Sequence, residues 1–274
     1  MSENNPEISL SAHTGPFDTN YHDWGSGKPV LMLHGSGPGV SAWSTWGKII
    51  PALSQKHRLL APDLAGFGYT RIPDGFQHGM DHWLKQIVDF LDVLNLEKVD
   101  LVGYSFGGAL ALGLAVKYPQ KVRRMVLMGS MGVKFHLTLG LDKVWSCTPT
   151  IENMRSLLDL LVYSSELVNN DMAQARLQAS LRPGVQQNYS SMFPSPRQKS
   201  INDAARFEDQ IKDIRLPTLI MHGRDDRVIP LETSLKLHRL IEDSQLHVFG
   251  RCGHWIQFEK RDDFIRLTDQ FLAE

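Results

Sequence analysis

The chain has only two cysteines, Cys147 and Cys252, in 274 residues. That is too few for a disulfide framework, and both are expected to be buried free thiols in a reducing compartment. Charge of one sign is also lacking: 29 Lys and Arg stand against 30 Asp and Glu, with no long single-sign run. Neither a nucleic-acid footprint nor a membrane-surface helix is expected from such a balance. No apolar run reaches a membrane-spanning length, and Met1 to Ile8 is polar and carries Pro6, unlike a signal peptide. A cytoplasmic address with no membrane partner is the expectation. Two ligand motifs are missing as well. His78 and His82 stand four apart, but no glutamate completes His-Glu-x-x-His, so no metal site is expected. The glycine-rich stretch after His34 lacks both a Gly-Lys-Ser/Thr ending and dinucleotide spacing, which excludes a phosphate cradle.

What the chain does have is alternation. Apolar runs at Pro29 to Leu33, Arg58 to Ala61, Val99 to Val102, Met125 to Met128, Thr218 to Met221 and Leu246 to Phe249 read as strands buried on both faces. Helical spacing lies between them, as in Leu84, Ile87, Val88, Leu91 and Leu94, and Asp262 to Leu272 closes the chain with another helix. The pattern predicts an α/β fold with a mainly parallel sheet covered on both sides. Phe17 to Trp24 is more polar and alternating, and is expected at an antiparallel edge.

Between Met125 and Thr218 the alternation lapses for about eighty residues, too long for a plain loop. Thr148-Pro149 can start a helix carrying Ile151, Met154, Leu157, Leu158, Leu161 and Val162 at helical spacing, and another helical pattern ends before Pro183. The organisation expected is a core from residues 1–132, an inserted helical cap over 133–207 and the rest of the core from 208–274. The cap would close a pocket, with Met154, Met192 and Phe193 either facing it or, as the favoured reading, filling the cap's own core.

The chemistry-bearing motif is Gly103-Tyr104-Ser105-Phe106-Gly107, between a strand and a small-residue helix. Such a turn, with small flanking residues, presents a serine hydroxyl clear of the sheet and aims the next amide at a developing oxyanion. After it come Asp225 and Asp226 behind one strand and His254 behind another, giving the order serine, acid, histidine. Loops at one edge of a parallel sheet can bring these groups together. His34-Gly35-Ser36-Gly37-Pro38-Gly39 follows an earlier strand, so the amides of Ser36 and Phe106 are the candidate oxyanion donors. His34 itself is expected to brace that loop as a neutral imidazole. Cys252, two residues before His254, is the weaker nucleophile because Ser105 has the strand-to-helix turn.

The loop His34 to Trp43, the turn Gly103 to Gly108, the run Ser191 to Gln198 and the segments His222 to Pro230 and Leu246 to Trp255 resemble the meta-cleavage product hydrolases over nearly the whole chain. These are carbon–carbon bond hydrolases of the α/β-hydrolase fold. The resemblance implies hydrolysis of a 2-hydroxy-6-oxohexa-2,4-dienoate to 2-hydroxypenta-2,4-dienoate and a carboxylic acid, without metal or organic cofactor, by a homodimer or higher homo-oligomer. It implies a triad of Ser105, Asp226 and His254, with Asp225 a neighbour. It also implies substrate contacts from Gly37, Thr45 and Trp255 and a carboxylate clamp at Arg182, where a forked guanidinium suits a planar anion. Thr45 departs from relatives that can carry asparagine there. The alternatives are a carboxylesterase or lactonase on the same machinery and, from another class, a non-hydrolytic small-molecule receptor.

Overall fold

Each apolar run becomes a strand of one sheet in the computed structural model, which describes residues 5–274. The strands are β1 (Leu10–Thr14), β2 (Phe17–Trp24), β3 (Pro29–Leu33), β4 (Arg58–Pro62), β5 (Val99–Tyr104), β6 (Val122–Met128), β7 (Thr218–Gly223) and β8 (Ser244–Phe249). They form one eight-stranded sheet in the order β1-β2-β4-β3-β5-β6-β7-β8. From β4 to β8 every pairing is parallel, whereas β1 and β2 join antiparallel. Because β3 sits between β4 and β5, the loop after β3 and the turn after β5 emerge side by side at the carboxyl edge. Ligands of open α/β sheets bind at such a place.

Both faces of the central strands are apolar. Leu31 and Leu33 of β3 join one core cluster with Ile87 and Leu91 of the helix Met80–Val93, while Val30 and Met32 join another with Trp46 and Phe264. That double burial explains why these strands read as unbroken apolar runs. The helix Phe106–Lys117 is buried from Phe106 through Ala115, so its apolar character has no polar side.

Three expectations differ from the structure. The strand β1 carries Ser11, His13 and Thr14 and gave no apolar run, yet it pairs with β2, so β2 is interior to the sheet. The opposite edge, β8, is only partly buried because it has a neighbour on one side alone. The helix Ile151–Leu161 begins later than Thr148-Pro149, because the Thr150 side chain accepts from Asn153 N–H and caps it.

Between β6 and β7 run the helices Leu139–Trp145, Ile151–Leu161, Asn170–Ser180, Val185–Met192, Gln198–Ala204 and Glu208–Ile211. Met154, Met192 and Phe193 are buried here. Among the described residues no helix is long and apolar enough to cross a membrane.

Candidate active site

Ser105 stands between β5 and the helix Phe106–Lys117 with φ at 54° and ψ at −115°. A non-glycine residue in that region costs about 1–3 kcal/mol and persists only when its surroundings over-determine it. They do so here: Ser105 N–H donates to Met128 O at 2.9 Å, and Ser105 O accepts from Gly108 N–H at 3.0 Å and Met131 N–H at 3.1 Å. The flanking glycines are needed for close approach. A Cβ on Gly103 would lie 2.7 Å from Gly107 O, and one on Gly107 would collide with Leu33 O.

His254 follows β8, and its Nδ1 lies 2.6 Å from Asp226 Oδ2, which follows β7. The other carboxylate oxygen of Asp226 accepts from Val228 N–H at 2.7 Å and Ile229 N–H at 3.0 Å. His222 Nε2 stands 3.4 Å from Asp226 Oδ2 and 3.1 Å from Ile229 O, two acceptors that assign the proton to that nitrogen. Burial alone would raise the Asp226 carboxyl, but the charge of His254 and the hydrogen bond from His222 hold it well below the usual carboxylate range. Asp225 turns away to Arg224, 3.3 Å distant. Asp226 is therefore the carboxylate that meets the histidine.

With Nδ1 held by Asp226, Nε2 of His254 is left for the cavity it shares with Ser105. No hydrogen bond joins the two side chains in this structure. Such bonds are often long in ligand-free enzymes and tighten when substrate binds. Cys252 is fully buried, and that burial pushes its thiol up, away from the thiolate a nucleophile needs.

Neither Ser36 N–H nor Phe106 N–H finds an acceptor among the described residues. Gly35 lets the loop carrying Ser36 lie against the turn, since a Cβ there would be 3.3 Å from Ser105 Cβ. The loop is braced from beneath by His34, whose Nε2 accepts from Leu64 N–H at 3.0 Å while Nδ1 donates to Gly35 O at 2.8 Å. Burial lowers His34 to about 4, so it is neutral as expected. Sequence reading missed its companion. Buried Asp63 accepts from Ala42 N–H at 2.6 Å, Asn20 Nδ2 at 2.7 Å and Tyr69 N–H at 2.8 Å, tying three segments together. The signal available was an acid directly after a strand and before Leu64-Ala65-Gly66, a position at the same carboxyl edge.

Of these groups Ser36, Ser105 and His254 line one cavity of about 490 Å³, part of it open to solvent, together with Gly37, Thr45, Trp255 and, from the helices between β6 and β7, Leu141, Val144, Leu157, Leu161 and Arg176. Arg182 is not there. Its guanidinium donates to Ala179 O at 3.0 Å and Gly68 O at 2.9 Å and lies 3.8 Å from the Tyr69 ring centroid. It comes after the last turn of the helix Asn170–Ser180, whose inward face carries Ala173, Arg176 and Ser180 at helical spacing, so the arginine on the cavity is Arg176. That spacing was the signal for it. Arg176 donates to Pro38 O at 3.3 Å, lies 5.8 Å from the Trp255 ring centroid and has no carboxylate partner among the described residues. A Cβ on Gly37 would lie 3.0 Å from Val40 Cγ2 and in ordinary contact, 3.5 Å, with Arg176 Nη1. Thr45 spends its hydroxyl on Ser41 O at 3.0 Å.

Fold and site together define a serine hydrolase of the α/β-hydrolase class. The family description "alpha/beta hydrolase fold" matches residues 28–261. The chain is 52% identical to a 2-hydroxy-6-oxo-2,4-heptadienoate hydrolase of Pseudomonas putida strain F1, over 100% of this chain and 99% of that protein. It is 47% identical to a 2-hydroxymuconate semialdehyde hydrolase of Pseudomonas sp. strain CF600, over 99% and 96%. A solved meta-cleavage product hydrolase of Pseudomonas fluorescens IP01, a serine variant complexed with acetates, superimposes with a TM-score of 0.97 at 49% identity, covering 98% of this chain and 99% of that one. The chain belongs to the meta-cleavage product hydrolases.

Proposed function

We propose that this chain hydrolyses the C5–C6 bond of 2-hydroxy-6-oxohexa-2,4-dienoates, using Ser105, His254 and Asp226 as triad and the Ser36 and Phe106 amides as oxyanion donors. The observation that carries the reading is an unpaired guanidinium, Arg176, lining the same cavity as a serine and a carboxylate-held histidine. Esters need only the serine machinery, whereas a dienoate also brings a carboxylate that must be held. Arg176 supplies a forked pair of donors for it. The relative at 52% identity is a heptadienoate hydrolase, which supports methyl as a ketone-end substituent.

A carbon–carbon bond breaks only if its electron pair has somewhere to go. Ketonisation of the dienol, with a proton delivered to C5, makes C5 a leaving group conjugated to the C2 ketone. Attack at C6 by Ser105 or a water, its proton passing to His254 Nε2, gives a tetrahedral oxyanion held by the two amides. The C5–C6 pair then flows into the C2–C5 system. Protonation of that system releases 2-hydroxypenta-2,4-dienoate, and C6 leaves as the carboxylic acid, directly or after hydrolysis of an acyl-Ser105. Asp226 keeps His254 oriented and stabilises its imidazolium. Residues 133–207 serve as a cap over the two core parts, 1–132 and 208–274, and limit water at the reacting carbon. The same reading takes the protein as a cytoplasmic homodimer or higher homo-oligomer, on family likeness.

The test is a panel of dienoates bearing hydrogen, methyl, isopropyl or phenyl at the ketone end, beside simple esters. Loss of the dienoate absorbance with appearance of hydroxypentadienoate is expected, with the highest kcat/KM on a dienoate. Efficient ester or lactone hydrolysis with dienoates untouched would overturn the reading in favour of an esterase, and binding without turnover would leave only a receptor.

A further inference from the structure

Most of the cavity wall is buried, but Ser44 is exposed and Thr45, Arg176 and Trp255 are half-buried, so the cavity opens on that side. Ser44, Thr45 and Trp255 also line a second, outer groove with Trp43, Lys48 and Met172. By contrast, the cleft between the cap and the helix Met80–Val93, walled by His78, Trp83, Met192 and Phe193, shares no wall residue with the inner cavity. The outer groove is lined mainly by apolar side chains with the uncharged polar Ser44, Thr45 and Gln257, and Lys48 is its one charged lining residue. Lys48 Nζ lies 4.6 Å over the Phe258 ring and has no carboxylate partner among the described residues. Met172 and Arg176 stand four apart on the helix Asn170–Ser180, so one helix face walls both the groove and the inner cavity. Trp255 stands between the spaces, with Phe258 5.3 Å away on the groove side and the Arg176 guanidinium 5.8 Å away on the cavity side.

We propose that this outer groove is the inlet for the anionic dienoate: Lys48 collects the carboxylate at the surface, and the carboxylate passes Trp255 to reach Arg176. The occupant follows from continuity with the site and from charge. The groove leads into the cavity that holds Ser105, and its lone cation is followed inward by a second unpaired one. The proposal rests on the dienoate reading above and adds the route and the residue that steers it.

The experiment is stopped-flow binding of the methyl-substituted dienoate to a Ser105→Ala protein, in which cleavage is blocked. Adding Lys48→Gln is expected to lower the bimolecular rate about three- to tenfold at low salt, with the difference fading at high salt. Lys98→Gln, the same charge change at the amino edge of the sheet, is the control. Met172→Trp, which narrows the groove, is expected to slow binding at every ionic strength. In the cleaving enzyme the Lys48→Gln loss falls on kcat/KM and not on single-turnover cleavage of bound substrate. A Lys48→Gln rate and salt slope equal to those of Lys98→Gln overturns the inlet, as does a Met172→Trp rate equal to the parent's. Cleavage of dienoates by the wild type with an indifferent binding rate sinks the inlet alone, whereas no cleavage of any dienoate sinks the function beneath it.

Discussion

The two walls of the cavity are held differently. On the core wall, Ser105 is fixed by backbone bonds to Met128, Gly108 and Met131, and Asp226 by two amides besides its histidines. On the wall made by the helices between β6 and β7, Arg176 has a single bond of 3.3 Å to a carbonyl and a face shared with Trp255. Groups that must meet developing charge gain from being fixed in advance, because reorganisation is then already done. A group that first receives a mobile carboxylate can be held loosely. On the proposed function, the difference separates a wall that reacts from a wall that binds.

The largest effects should come from breaking the reacting wall. Ser105→Ala is expected to cut single-turnover dienoate cleavage by about three orders of magnitude or more while binding persists. Asp226→Asn should lose roughly 10²–10⁴ in kcat because the histidine loses its orienting partner. Asp225→Asn should stay within a few-fold. Equal losses at the two aspartates would mean that the contact seen at His254 is not the one that matters.

Breaking the binding wall should read out in another constant. Arg176→Gln is expected to raise KM for dienoates by about 10- to 100-fold, the range of a charged hydrogen-bonded contact, and to spare carboxylate-free esters. Arg182→Gln should leave KM nearly unchanged and lower thermal stability slightly, since its bonds run to Gly68 and Ala179. A larger KM effect at Arg182 than at Arg176 would return the clamp to the position that the resemblance first implied.

The same division governs what the sequence discloses. Ser105, Asp226 and His254 each follow a strand within a few residues, so local pattern and chain order suffice to place them at one edge. The arginine is different. Arg176 and Arg182 are six residues apart, and only the end of the helix Asn170–Ser180 decides which faces inward. Asp63 was hidden for a related reason: its partners come from segments near residues 20, 42 and 69, which no local window contains. β1 escaped because an edge strand needs only one apolar face.

The smallest effect tests how the reacting wall is itself braced, through two buried groups whose responses to pH oppose each other. His34 is lowered by burial to about 4, so its contribution to stability is full above the unfolded value near 6.5 and is lost as pH falls from there toward 4. Asp63 is raised by burial to about 6, with three donors working against that rise, so its contribution is full below the unfolded value near 3.9 and is lost as pH rises through 6. Between pH 4 and 6 the two slopes oppose each other and largely cancel, each at most about 1.4 kcal/mol per pH unit. Asp226, held low, loses its contribution only at more acid pH. Urea unfolding across pH 4–7 should therefore show His34→Gln growing more stable relative to wild type as pH falls, and Asp63→Asn growing less stable. Parallel pH profiles for the three proteins would show that the brace under the oxyanion loop does not titrate in this window, and that the loop is held by backbone geometry alone.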